Sequence, residues 1–285
     1  PLVERGKVAY ALGEAAIHMA YTMSDLELKR PMMSGCINPR EKEAYEIMNI
    51  MIHSLLEGKV KHDKEVLFYS VPANAINEET DADFNSKILL SIFNAYESDE
   101  GYKVSAHPIN EALALVYAEL ASKNYTGIGA SFGAGQINIC FAIYGAPVFQ
   151  FSLVNSGDWI DKMSAKATSE SITYINQEKT KINLSVPPTT LVERAIQTQY
   201  RIMIEKTAQG IKKGITESGK KAHSEQAVDI VIAGGTSIPI GFDTLFKEII
   251  TQVGLPINIG TIIRPADPLF SVARGCLLAA ENSTK

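Results

Sequence analysis

The sequence predicts an α/β fold built in two lobes, and three observations carry that reading. Short apolar runs alternate with amphipathic helical stretches from the N-terminus onward. Midway, two apolar runs flank Gly133, Ala134 and Gly135 and a third follows, the pattern of an antiparallel meander. The two halves also share a plan, each setting strands beside a glycine turn and closing on a helix rich in small residues. That symmetry implies a duplicated architecture, with a first lobe over residues 1–122 and a second over 123–285.

Element by element, KVAYAL (7–12) reads as a strand entering a helix around 13–23, and 38–56 carries apolar residues at helical spacing. VLFYSV (66–71), stopped by Pro72, reads as a strand buried on both faces. A helix over 81–96, a strand over 102–106 and an Ala- and Leu-rich helix over 110–122 complete the first half. Strands at 126–131, 136–144 and 148–153 form the meander. The chain is then helical from Asp158, breaks at Pro187 and Pro188, and resumes as a long helix over 191–213. A strand at 228–232, the turn at Gly234 and Gly235, and helices over 242–253 and 268–281 finish it.

At 285 residues, 46% apolar and 21% charged, the chain has the composition of a folded globular protein. A net charge of −5 and a pI near 5.6 argue against a non-specific grip on nucleic acid or acidic lipid. Lys212, Lys213, Lys220 and Lys221 cluster, but acids and glycines punctuate the stretch, which reads as a solvated loop. Cys36, Cys140 and Cys276 are far apart and sit among apolar residues, so they read as buried thiols of a reducing compartment. The five histidines never fall at ligand spacing, which argues against a structural metal. No uncharged run is long enough to span a bilayer and no signal peptide opens the chain, which predicts a cytoplasmic protein. Pro1 in place of methionine, with a strand almost at once, predicts that residues precede it.

Three motifs bear on chemistry. In SFGAGQINIC (131–140) the glycines allow backbone N–H groups to approach an anion closely, a phosphate cradle, although an ordinary hairpin turn would read the same. In VIAGGTSIPIGFDTLFKEII (231–250) a buried strand ends in two glycines before a helix, leaving bare backbone for a flat ring or ribose, or glycine for packing alone. In NQEKTKINLS (176–185) Glu178 and Lys181 stand three apart on one helical face, by default a surface ion pair.

Taken in order, these motifs resemble the actin superfamily, specifically bacterial MreB together with the large heat-shock chaperone ATPases. ALGEAAIHM (11–19) and KRPMMSGCI (29–37) resemble MreB segments that follow its first phosphate loop, VLFYSVPA (66–73) a strand ending in Val-Pro, and INEALALVYA (109–118) the first connecting helix. SFGAGQINIC resembles the second phosphate hairpin and NSGDWID (155–161) the loop after it. EKTKINLS resembles the chaperone helix that contacts adenine and ribose, IAGGTSIP the adenosine loop, and DPLFSVARGCLLAAE (267–281) the second connecting helix. The resemblance implies a two-lobed, ribonuclease H-like fold with a nucleotide cleft between lobes, ATP and Mg²⁺ as ligands, and self-association into filaments or dimers. It implies that Gly133, Ala134, Gly135 and Gln136 face the phosphates and that Gly157 and Asp158 lie near sugar or phosphate. Glu178, Lys181, Ser185, Gly234, Gly235 and Thr236 are implied around the adenosine, with Glu111 at the position of a water-orienting side chain.

The departures from that pattern concern catalysis. Nothing in the chain matches the first phosphate loop, and relatives hold the Mg²⁺ shell with an Asp where this sequence has Ser131. Gln136 stands where relatives have Thr, and Asn138 where they have a second Asp. No Asp, Glu, Lys, Arg or His occurs between Gly127 and Gln150. Losing a carboxylate about 4 Å from a cation forfeits on the order of 4 kcal/mol at an effective dielectric near 20, roughly a hundredfold or more in rate. Backbone N–H groups still cradle phosphate without it, and Ser131 still offers a hydroxyl to a metal-bound water. The expected function is therefore a nucleotide-binding actin homologue, assembling or switching with weak or no hydrolysis. The alternatives are an active chaperone- or kinase-type ATPase using Glu111, and a scaffold that keeps the fold without the ligand.

Overall fold

The computed structural model describes residues 2–5, 8–23, 28–78, 80–219 and 227–284. Lys7, at the start of the first expected strand, and Lys220, Lys221 and His223 lie outside them. The chain forms two compact units, one of Pro1–Leu67 with Asp83–His107 and one of Phe68–Ala82 with Pro108–Lys285.

The first unit opens with an antiparallel pair, β1 (Leu2–Arg5) and β2 (Val8–Ala11), which leads into α1 (Glu14–Thr22). A short ladder of β3 (Met32–Met33) and β4 (Cys36–Ile37) follows, then α2 (Ala44–Leu56). Helix α2 starts six residues later than its apolar spacing suggests, because Asn38 turns the chain: its Oδ1 accepts from Arg40 N at 3.1 Å. Helix α3 (Ala82–Ala95) closes this unit, and its Asn85 Oδ1 accepts from Ile37 N at 2.9 Å. Strands β5 (Glu65–Val71) and β6 (Val104–Asn110) pair only with each other among the described residues. For that reason β5 is half-buried over most of its length, contrary to the expectation of cover on both faces.

The second unit is organised by a five-stranded sheet in the order β11-β10-β7-β8-β9. Strands β7 (Gly127–Phe132), β8 (Ile137–Ile143) and β9 (Ala146–Leu153) are the expected antiparallel meander. Strand β10 (Val228–Ala233) lies parallel to β7 on one side and to β11 (Ile259–Ile263) on the other. Strand β11 is absent from the sequence reading, since Gly260 and Thr261 interrupt its apolar run. Alternation along the strands sorts the sheet into two faces. Ile128, Phe132, Ile137, Ile139, Phe141, Ile230 and Ile232 join one large core with α5 (Gly157–Thr168), α6 (Ile172–Lys181), α7 (Leu191–Glu217) and α8 (Phe242–Val253).

The opposite face carries small residues, and α4 (Glu111–Glu119) lies on it with Cys140, Ala142, Val231 and Ala233. A Cβ on Gly129 would fall 2.2 Å from the Ala112 carbonyl oxygen, so glycine on β7 is what admits the helix so close. Helix α9 (Ser271–Ser283) packs behind α4 by the same device: a Cβ on Gly275 would lie 1.8 Å from the Ala114 carbonyl oxygen. Among the described residues no helix is long and apolar enough to cross a membrane.

Helix propensity alone favours Ala over Gly by about 1 kcal/mol. Gly275→Ala is nevertheless expected to destabilise the protein, by about 1–3 kcal/mol as in other overpacked cores. Urea unfolding of the two proteins at equal slope measures the difference, and an unchanged midpoint would contradict the packing argument.

Candidate functional site

Residues Ser131 on β7 and Asn138 on β8 are paired across the hairpin, and strand alternation turns both toward α4. Helix α4 begins there because Asn110 caps it, its Oδ1 accepting from Ala112 N at 3.0 Å and Leu113 N at 3.1 Å. The first helical residue, Glu111, therefore reaches the hairpin directly. Ser131 Oγ donates to Glu111 Oε1 at 2.6 Å, and Asn138 Nδ2 donates to Glu111 Oε2 at 3.0 Å. Asn138 is fixed in turn, since its Oδ1 accepts from Ala73 N at 3.0 Å. Glu111 as a residue keeps partial exposure, but its carboxyl end meets Ser131 and Asn138, which are 2% and 1% exposed. Desolvation there raises the Glu111 carboxyl above its ordinary value, and the Ser131 hydrogen bond opposes the rise. Burial pushes the Cys140 thiol up to about 12, and burial with Glu111 nearby pushes Cys276 up to about 11, so both thiols are unreactive.

The hairpin turn is held from two other directions. Its own closure is the Gly133 N–H donating to Gln136 O at 2.9 Å. The outward carbonyls are then taken by neighbours: Gly157 N donates to Gly133 O at 3.2 Å, and Asp158 N donates to Ala134 O at 2.8 Å. Ser156 Oγ donates to Ala134 O as well, and Thr236 Oγ1 donates to Gly133 O at 2.8 Å. A Cβ on Gly157 would sit 2.5 Å from Thr236 Oγ1, and one on Gly234, at φ +93°, would sit 2.4 Å from the Phe132 carbonyl oxygen. Glycine is therefore required at both places. Gly133, Ala134, Gly135, Gln136, Gly157, Asp158, Gly234 and Thr236 are thus gathered at one end of the sheet. Gln136 is 3% exposed, yet neither its Oε1 nor its Nε2 meets a hydrogen-bond partner among the described residues.

Of the residues expected around adenosine, Gly234 and Thr236 are thus at the hairpin, while Glu178, Lys181 and Ser185 make contacts elsewhere. Glu178 and Lys181 pair with each other at 2.8 Å, with the Lys181 side chain 68% exposed. The Glu178 carboxylate raises the Lys181 ammonium above its ordinary value. Ser185 is exposed and packs against Gly241, where a Cβ would lie 2.1 Å from its Oγ. Gly235 is open, its nearest obstacle a Leu269 methyl 3.7 Å from where a Cβ would stand. The side chain that ties α6 to the hairpin clamp is Lys179, which sequence spacing misses. Lys179 Nζ donates to Gly157 O at 3.0 Å and to Asp161 Oδ2 at 2.8 Å, and Asn176 Nδ2 donates to the same oxygen at 2.8 Å. Trp159 lies against the core with Lys206 Nζ 5.5 Å from its ring centroid.

The family model for volactin matches residues 1–280. The chain belongs to the volactin family. No curated protein matches it by sequence. Among solved structures this chain is similar to one described as the MamK double helical filament, at 19% identity and a TM-score of 0.73, covering 95% of this chain and 85% of that one. It is similar to MreB 5 of Spiroplasma citri bound to AMPPNP, at 15% identity and a TM-score of 0.67, covering 97% and 86%. It also resembles the ethanolamine utilization protein EutJ from Carboxydothermus hydrogenoformans, at 17% identity and a TM-score of 0.55, covering 88% and 79%. This chain therefore has the actin-like α/β fold implied by its motifs.

Two measurements probe this arrangement. Lys179→Met leaves Asp161 buried and unpaired, which is expected to cost about 3–5 kcal/mol. Adding Asp161→Leu should recover most of that loss, and a double variant no more stable than the single one would contradict the pairing. For Glu111 burial raises the folded carboxyl above its ordinary value of 4.5. Its contribution to stability is therefore fully present below about 4.5 and is lost as pH rises through the folded value. Relative to Glu111→Gln, the native protein should lose stability over that window in denaturant melts taken across pH, whereas a flat difference would show the carboxyl to be unperturbed.

Proposed function

We propose that this protein binds ATP at the hairpin end of its second unit and assembles or switches with it, hydrolysing it slowly or not at all. The observation that carries the reading is the Gln136 amide, buried with both polar atoms unpartnered among the described residues, on the hairpin whose turn carbonyls take donors from the start of α5 and from Thr236. Leaving a buried amide unpaired costs about 1–3 kcal/mol, a cost that a polar ligand removes. Phosphate oxygens accept from Nε2, and a water or cation answers Oε1.

The residues fit a nucleoside triphosphate better than they fit a tightly held metal. Ala134 and Gly235 are exposed backbone with room in front of them, suited to phosphate and to a flat ring or ribose. Among the described residues no three or more His, Cys, Asp or Glu side chains gather as a metal site. Glu111 already spends both oxygens on Ser131 and Asn138. A Mg²⁺ ion would therefore arrive with the phosphates and keep most of its waters, with Ser131 Oγ and Gln136 Oε1 the neutral oxygens on hand. When bound, that ion supplies charge neutralisation to the phosphates. With both Glu111 oxygens taken by Ser131 and Asn138, that carboxylate faces the hairpin side chains and not a water, which supports slow turnover.

Assembly is supported by the fold it shares with a protein solved as a double helical filament. The partner on this reading is a second copy of the chain. Titration calorimetry with Mg-ATP and nucleotide-dependent pelleting test the two halves of the proposal. Gln136→Leu should leave the free protein as stable or more so, and weaken ATP binding about tenfold or more, the equivalent of one hydrogen bond to a charged group. A protein that binds no nucleotide and never pellets would instead be a scaffold that keeps the fold alone.

A further inference from the structure

We infer that Ser131 is a phosphoryl acceptor, with Glu111 as the base that takes its proton and Asn138 holding that base in place. The inference rests on the nucleotide reading above and goes beyond it, from binding to a covalent outcome. A nucleophilic hydroxyl site is recognised by a hydroxyl and a base within about 2.6–3.2 Å, the base oriented by a third group. Ser131 Oγ and Glu111 Oε1 are 2.6 Å apart, and Asn138 fixes the other carboxyl oxygen at 3.0 Å. Asn138 is itself held by Ala73 N, and the Ala73 carbonyl accepts from Ser152 Oγ at 2.8 Å. This chain of bonds runs in one direction and ends on the carboxylate, so the base faces the hydroxyl as an acceptor.

Burial adds the driving force. The two donors suit an ionised carboxylate, while desolvation favours its protonated form, and a group in that balance takes a proton readily. Ser131 stands five residues before Gln136, at the foot of the turn assigned to the phosphates. In the proposed step Ser131 Oγ attacks the terminal phosphorus of the bound nucleoside triphosphate, and its proton passes to Glu111 Oε1. The bond from that phosphorus to the bridging oxygen breaks, and the diphosphate leaves with the electron pair. The product is a serine phosphomonoester carrying about −1.5 to −2 charges where the next nucleotide would place its own terminal phosphate. One turnover therefore marks the chain and disfavours a second triphosphate.

The test incubates the purified full chain with Mg²⁺ and ATP and follows intact mass, with phosphopeptide mapping by tandem mass spectrometry. The expected result is a single added phosphoryl group on Ser131. Ser131→Ala should remove it, and Glu111→Gln should slow its formation about a hundredfold or more, the scale of a lost general base. A native protein that binds a fluorescent ATP analogue and gains no phosphoryl mass overturns this inference alone, as does phosphate mapped to another residue and retained in Ser131→Ala. A native protein that fails to bind the analogue overturns the nucleotide reading, and this inference with it.

Discussion

A carboxyl group brought against a sheet must find donors, and the way Glu111 finds them governs the second unit. It is the first residue of α4, so its position depends on how close that helix lies to β7 and β8. Gly129 permits the approach from the sheet side, and Gly275 lets α9 press from behind. Asn110 fixes where the helix starts, and hence which side chain occupies its first position. A one-residue shift in strand register would turn Ser131 and Asn138 into the opposite core and leave the carboxyl without partners. Register, cap and helix packing are therefore coupled through a single side chain.

The hairpin turn beyond it depends on a different economy, that of backbone carbonyls. Gly133 and Ala134 offer two oxygens, and four donors from two separate segments converge on them. Such convergence demands that Gly157 and Gly234 carry no side chain, since each stands within bonding range of another segment's backbone or hydroxyl. Lys179 then extends the clamp to α6 through the Gly157 carbonyl, with Asp161 compensating its charge. Hydrogen bonds of this kind are worth only about 0.5–1.5 kcal/mol each, but a set sharing two acceptors fixes position far better than one.

Much of this was legible in residue order. The meander, α5, α7 and α8 follow from apolar runs and proline breaks, and Gly133 and Gly234 stand where close approach requires glycine. What escaped the sequence depends on partners distant along the chain. Asn138 reads as a lost acid until its amide is seen bonded to Glu111, 27 residues away. Lys179 is one lysine in a charged stretch, and only its proximity to Gly157 and Asp161 separates it from exposed Lys181. Strand β11 is short and broken by Gly260, so alternation gives no warning of it; its place is set by β10, with Thr261 N donating to Asp229 Oδ1 at 2.7 Å.

The exchange of acids for Ser131 and Asn138 takes on a definite sense in this geometry. With Asp at both positions, as in the relatives whose motifs these resemble, Glu111 would face two carboxylates at hydrogen-bonding range. Each like-charge pair at about 4 Å would cost on the order of 4 kcal/mol at an effective dielectric near 20, and a cation would be needed to hold the cluster together. Ser131 and Asn138 instead donate to Glu111, and the cluster satisfies itself without an ion. The two changes are mutually consistent, because either one alone would leave a carboxylate facing Glu111. They remove the need for a metal at the foot of the hairpin while leaving the backbone of its turn and the Gln136 amide in place. An acid-free hairpin in this fold thus satisfies the Glu111 carboxyl group with neutral donors alone.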